Sequence, residues 1–123
     1  MDESAILRAV YDSLALCFAC KLDELEKSVG KKYPVLNIIG GGTQDSRLMR
    51  QAAAAIGRPV AAGPIEATAI GNILAQAVTV GAVEDWAAAR EVVRNSFPVV
   101  NYEVDPQLQS IFADNMERFK TLL

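Results

Sequence analysis

Three consecutive glycines, Gly40, Gly41 and Gly42, stand in the stretch LNIIGGGTQDSRLMRQAAAAIG of residues 36–57, between a short apolar run and a helical pattern. The order reads as strand, glycine turn, helix. A helix start presents unpaired N–H groups and a partial positive charge, and glycines beside it let a phosphate or sugar approach the main chain closely. A nucleotide suits that arrangement. Gln44 and Asp45 follow at the rim with Ser46 and Arg47, where they can hydrogen-bond a base or ribose, or cap and solvate the helix. Both readings stay open on the residues alone, as does a tight turn without ligand. The entropy that three glycines lose on folding tilts the balance toward a ligand.

The run meets neither common phosphate-binding pattern. A Walker loop needs Lys followed by Ser or Thr, and Asp45 fills the third Rossmann glycine position. The chain has no histidine, and no paired acid and base or activated Ser or Cys can be assembled, so no catalytic residue is assigned and no metal site. Glu66 falls in a first helical turn, where a carboxylate is favourable without any catalytic role. Cys17 and Cys20 form a C-x-x-C pair inside an amphipathic helical pattern. With no third cysteine they read as buried structural thiols in a reducing compartment.

The elements that must position the glycine turn can be read from caps and periodicity. Leu7, Val10, Leu14, Phe18, Leu22, Leu25 and Val29 recur at three-and-four spacing and predict a long first helix over residues 5–29 with this stripe inward, Asp2 at its N-cap and Gly30 at its end. Residues 35–39 predict a buried parallel strand. A second helix follows over residues 44–56, with Leu48, Ala52, Ala55 and Ile56 inward, Thr43 or Asp45 as cap and Gly57 as stop. Residues 58–63 form a weaker strand candidate. Pro64 then reads as the first residue of a helix reaching about residue 80, whose small residues Ala67, Gly71 and Ala75 predict burial on more than one side. Residues 86–96 predict a helix with Trp86 packed, residues 97–104 an extended segment, and Asp105 and Pro106 open a last helix striped by Leu108, Ile111, Phe112, Met116, Phe119 and Leu122 or Leu123. Two convincing strands against five helices make a poor independent sheet, so the pattern reads as part of something larger.

At 123 residues, 51% hydrophobic and 22% charged, the chain is one folded unit by length. A net charge of −3 with dispersed basic residues disfavours nucleic acid and anionic membranes. No stretch has the ~20 apolar residues of a membrane span, and Asp2 and Glu3 stand where a signal peptide would be basic, which points to the cytoplasm.

The stretch from Ala5 to Tyr102 resembles the C-terminal end of a ketose kinase of the FGGY carbohydrate kinase family. The resemblance is carried by SLAL at Ser13, LEKSVGKK from Leu25, NIIGGGTQDSRLMRQ from Asn37, GRPVAAGPIEATAIGNILAQAVTVG from Gly57 and AREVVRNSF from Ala89. It implies a partial ribonuclease-H-like (actin-like ATPase) domain of α/β class, with short parallel strands packed against about five helices. It places Gly40, Gly41 and Gly42 against the ribose and α-phosphate of ATP or ADP, and Gln44 and Asp45 at the adenine. Residues 68–81 would be a helix near the hinge between lobes. It further implies that residues 1–123 are the C-terminal portion of the ATP-binding domain. The N-terminal sugar-binding domain, the catalytic residues and the Mg²⁺ site would then be supplied elsewhere. The expected reaction of the whole is transfer of the ATP γ-phosphate to rhamnulose or a similar ketose, with this portion inactive alone. The alternative is a noncatalytic remnant or a homo-oligomerising module that pairs through an exposed lobe-interface surface.

Overall fold

The computed structural model describes residues 2–123. Five helices and three short strands follow in the order α1 (Glu3–Val29), β1 (Leu36–Ile38), a 3-10 turn (Gly41–Gln44), α2 (Ser46–Ile56), β2 (Val60–Ala62), α3 (Ala67–Thr79), α4 (Trp86–Ser96), β3 (Val100–Tyr102) and α5 (Pro106–Lys120). The helix ends lie where local chemistry puts them. The Asp2 carboxylate accepts from the Ala5 amide, Asp105 accepts from Gln107 and Leu108, and Gly30 and Gly57 close α1 and α2 in the left-handed conformation.

The strands hydrogen-bond in the order β1-β2-β3. The Leu36 amide donates to the Pro59 carbonyl at 3.1 Å and the Gly63 amide to the Ile38 carbonyl at 2.8 Å, so the register advances in the same direction on both strands. β1 and β2 are therefore parallel, as expected of strand–helix–strand connectivity. β3 adds a third strand within the segment read only as extended; three residues of a half-exposed strand carry too little alternation to be recognised from sequence.

The chain divides into two units. One comprises the residues up to Leu36 with Asp45–Val60 and Asn101–Leu123, and the other Asn37–Gln44 with Ala61–Val100. In the first, α1, α2 and α5 pack on one another around Ala15, Leu16, Ala54 and Phe112, with Leu108, Met116 and Phe119 flanking. Cys20 is buried there with its thiol 3.6 Å from the Met116 sulfur, and Cys17 is half-buried; both are free. Burial pushes the Cys20 thiol up from its ordinary pKa.

The inward side of α1 differs from the expected stripe. Ala15, Leu16, Cys20, Leu22 and Glu26 are buried, whereas Leu7, Val10, Leu14, Leu25 and Val29 are exposed. α2 and α5 touch the helix along Ala15 and Leu16, so the partners decide which of its two apolar sides is covered.

In the second unit α3 packs against α4. Pro64 lies before α3 and not at its first position: its carbonyl accepts from the Gly40 amide at 3.3 Å, which keeps this residue beside the glycine turn, and the helix starts at Ala67. The expected burial of α3 on several sides is not met, since it has no buried residue, Ile73 is 65% exposed and a Cβ at Gly71 would meet nothing within 4 Å. At Gly71, the middle of its row of small residues, no other part of the described chain comes close. Trp86 is also largely exposed at the start of α4, where the Asp85 cap sets the helix without it. Gly63 is the tight point of this unit: its φ is +121°, and a Cβ there would lie 2.8 Å from the Pro98 carbonyl oxygen.

Candidate functional site

Gly40–Gln44 belong to the second unit and Asp45 to the first. Gly40 has φ +91°, a conformation that costs an L-residue about 1–2 kcal/mol. Its carbonyl accepts from both the Thr43 amide at 3.1 Å and the Thr43 hydroxyl at 2.7 Å, which closes the 3-10 turn and buries Thr43. Thr43 thus pins the turn and does not cap α2. Gly41 and Gly42 head the turn, exposed, and their N–H groups take no backbone acceptor among the described residues. A Cβ built on either would meet nothing within 4 Å. Gln44 ends the turn with its side chain exposed.

In the first unit Asp45 is the N-cap of α2. Its Oδ1 accepts from the Arg47 amide at 3.1 Å and the Leu48 amide at 3.0 Å, while its Oδ2 accepts from the Tyr11 hydroxyl of α1. The Tyr11 bond, with the Leu48 amide next, holds the Asp45 carboxyl below the usual aspartate range, and the same bond pushes the Tyr11 phenol up. Ser46 and Arg47 are exposed, and the Arg47 guanidinium stands 5.9 Å from the Tyr11 ring centroid. Tyr11 was not singled out from sequence. An aromatic residue inside an amphipathic helix signals packing, and nothing in the spacing announces a partner 34 residues away. Glu66, in the second unit, sits at the N-cap position of α3 without a side-chain cap bond.

Asp45→Ala removes the cap and the Tyr11 bond together and is expected to cost about 1–2 kcal/mol in urea denaturation. Asp45→Asn keeps the cap acceptor and is expected to recover about half of that loss. Equal losses in the two variants would mean that capping carries none of the effect.

Among the described residues no group of three or more His, Cys, Asp or Glu side chains converges to hold a metal ion, and no helix is long and apolar enough to cross a membrane. What the turn offers chemically is a pair of main-chain donors without backbone acceptors, on exposed residues just after β1, suited to oxygen acceptors on a ligand.

Comparison with known proteins places these elements. The family model for the C-terminal domain of the FGGY carbohydrate kinases matches residues 1–80. The chain is 42% identical over 97 residues to a rhamnulokinase of Bacteroides thetaiotaomicron, covering 79% of this chain and 20% of that protein. It is 44% identical over 90 residues to a rhamnulokinase of Bacillus subtilis (73% and 19%) and 37% identical over 121 residues to one of Pectobacterium carotovorum (98% and 24%). The chain thus spans about a fifth to a quarter of the length of the curated relatives it matches. Its α/β architecture of five helices and a small sheet agrees with the C-terminal domain of this actin-like ATPase fold.

Proposed function

The chain belongs to the FGGY family of carbohydrate kinases, and we propose that within such a kinase it supplies the main-chain donors for the adenosine end of ATP. The observation that carries this reading is the exposed turn at Gly41 and Gly42, with N–H groups unclaimed by backbone acceptors and open space where side chains would stand. In this reading Gly40 sets the direction of the turn, and the Gly41 and Gly42 amides donate to ribose or α-phosphate oxygens. Gln44 is the side chain offered to the base, while Asp45, committed to Tyr11 and two amides, contributes chiefly by fixing the start of α2. ATP supplies the phosphoryl group. Mg²⁺, the sugar and the groups that stabilise the transferred phosphate are assigned to other parts of a longer polypeptide, with rhamnulose or a similar ketose as acceptor. The matched relatives' length and their name support that assignment. The free thiols of Cys17 and Cys20 fit a cytoplasmic setting.

Alone, the chain is expected to be inactive and to bind ATP with a dissociation constant on the order of millimolar, because only part of the ligand is held while its full loss of freedom is incurred. The test is an amide NMR titration with a nonhydrolysable ATP analogue. Saturable shifts concentrated at Gly41, Gly42 and Gln44 are expected. No shift at these amides up to ~10 mM, or shifts confined to other elements, would defeat the reading.

A further inference from the structure

Of the two apolar sides of α1, the packing of α2 and α5 covers one. On the other, Leu7 is 58% exposed, Val10 50% and Leu14 44%, with exposed Ile6 and half-buried Cys17 beside them. The groove along this side is lined by Ile6, Ala9, Val10, Ser13, Leu14 and Cys17, all from α1 itself. The first unit therefore leaves an apolar seam open on its longest helix.

The spacing of the seam is that of a helix made to meet another helix. Leu7, Val10, Leu14 and Cys17 follow one another at intervals of three and four residues, the a/d rhythm by which two helices interlock their side chains. One more interval of four at each end reaches Glu3 and Lys21, so the seam is closed by a negative charge at its N-terminal end and a positive charge at its C-terminal end. Glu3 enters no ion pair among the described residues. Lys21 holds Glu24 on the exposed surface, a kind of pair that contributes little and is readily exchanged.

We propose that this seam docks, antiparallel, on the same seam of a second copy of the chain. Antiparallel pairing about the middle of the seam sets Val10 against Leu14 of the second copy, Leu7 against Cys17 and Glu3 against Lys21, and the two-fold axis makes each contact twice. Every a position then meets a d position, and both ends carry opposite charges. Parallel pairing sets Glu3 against Glu3 and Lys21 against Lys21, so charge selects the antiparallel arrangement. A seam of four apolar residues from each helix stands at the small end of protein interfaces, and the expected dissociation constant is on the order of 100 μM. The docking is independent of the glycine turn and needs no nucleotide.

Sedimentation equilibrium of the 123-residue chain from about 10 μM to about 1 mM decides the matter. A monomer–dimer equilibrium is expected. Val10→Lys, at a position half-exposed in the monomer, is expected to weaken it by about tenfold or more, because the pairing would desolvate two unpartnered charges. Glu3→Lys and Lys21→Glu are each expected to weaken it by about three- to fivefold, and the double variant to return to the wild-type constant, a rescue that only antiparallel pairing gives. Ile73→Lys, on exposed α3 in the second unit, leaves the association as it is. Thermal melts of each variant certify the fold. A chain that stays monomeric throughout, a dimer insensitive to Val10→Lys, or a double variant no tighter than the single ones would overturn the proposal. So would a longer kinase containing this chain that stays monomeric over the same range, because its own polypeptide would then be what covers the seam.

Discussion

Arg58→Ala is expected to be one of the most damaging single substitutions in this chain, lowering its melting temperature by about 10 °C or more at neutral pH. Glu26, near the end of α1, is 2% exposed and pairs with Lys32 and Arg58. Its carboxylate accepts from Arg58 through both terminal guanidinium nitrogens, Nη1 and Nη2, from Lys32 Nζ at 2.8 Å and from the Tyr33 amide at 2.8 Å, while Arg58 also donates to the Tyr33 carbonyl. Three stretches of the first unit are thus tied at one carboxylate. The Arg58 bonds, then Lys32 and the Tyr33 amide, hold the Glu26 pKa down at about 2, against an ordinary value of 4.5.

A carboxyl depressed in this way adds stability that is fully present above about pH 4.5 and is lost as pH falls toward about 2. Without Arg58, a buried carboxylate loses its main partner, so the variant must hold a poorly paired charge or take up a proton. The wild-type chain is therefore expected to lose melting temperature between about pH 5 and pH 3, and Arg58→Ala to lose much less over that interval. The double substitution Glu26→Gln with Arg58→Met removes both charges and is expected to recover part of the loss. Circular dichroism melts across this range are the measurement. A drop under about 3 °C for Arg58→Ala at neutral pH would show that the network adds little.

The second large effect is functional. In a kinase that contains this chain, Gly41→Val is expected to raise the KM for ATP by about tenfold or more and to change the KM for sugar by less than about twofold. The substitution is a clean probe. Gly41 has no positive φ, and a Cβ there meets nothing within 4 Å, so the fold accepts valine while the branched side chain occupies the space assigned to the nucleotide. Gly40→Val would confound the two, because its φ of +91° brings strain whatever the ligand does. Parallel rises in both KM values, or none, would remove the glycine turn from the nucleotide site.

What was legible in the sequence was local. Asp2, Gly30, Gly57 and Asp105 mark helix ends because a cap needs only its own few residues, and the glycine turn announced itself by composition. What was not legible depends on partners far along the chain. The 27-residue α1 carries apolar residues on more than one side, and periodicity cannot tell which side α2 and α5 will cover. Glu26 reads as one more surface charge until Arg58, 32 residues on, is folded against it. Asp45 could be ranked as a cap or as a ligand contact, but the claim that Tyr11 makes on its second oxygen appears only in three dimensions. Pro64 fits a helix start by type; a hydrogen bond from Gly40 decides otherwise.

The eight glycines are far from equivalent in what they forbid. At Gly63 the nearest obstacle to a methyl group is main chain, the Pro98 carbonyl at 2.8 Å, and main chain cannot rotate aside as the tip of a glutamine can. A saturation library read out for folding should therefore return glycine almost alone at that codon, while Gly71 on α3 accepts most of the alphabet and favours alanine. Two codons eight apart would give opposite sequence logos.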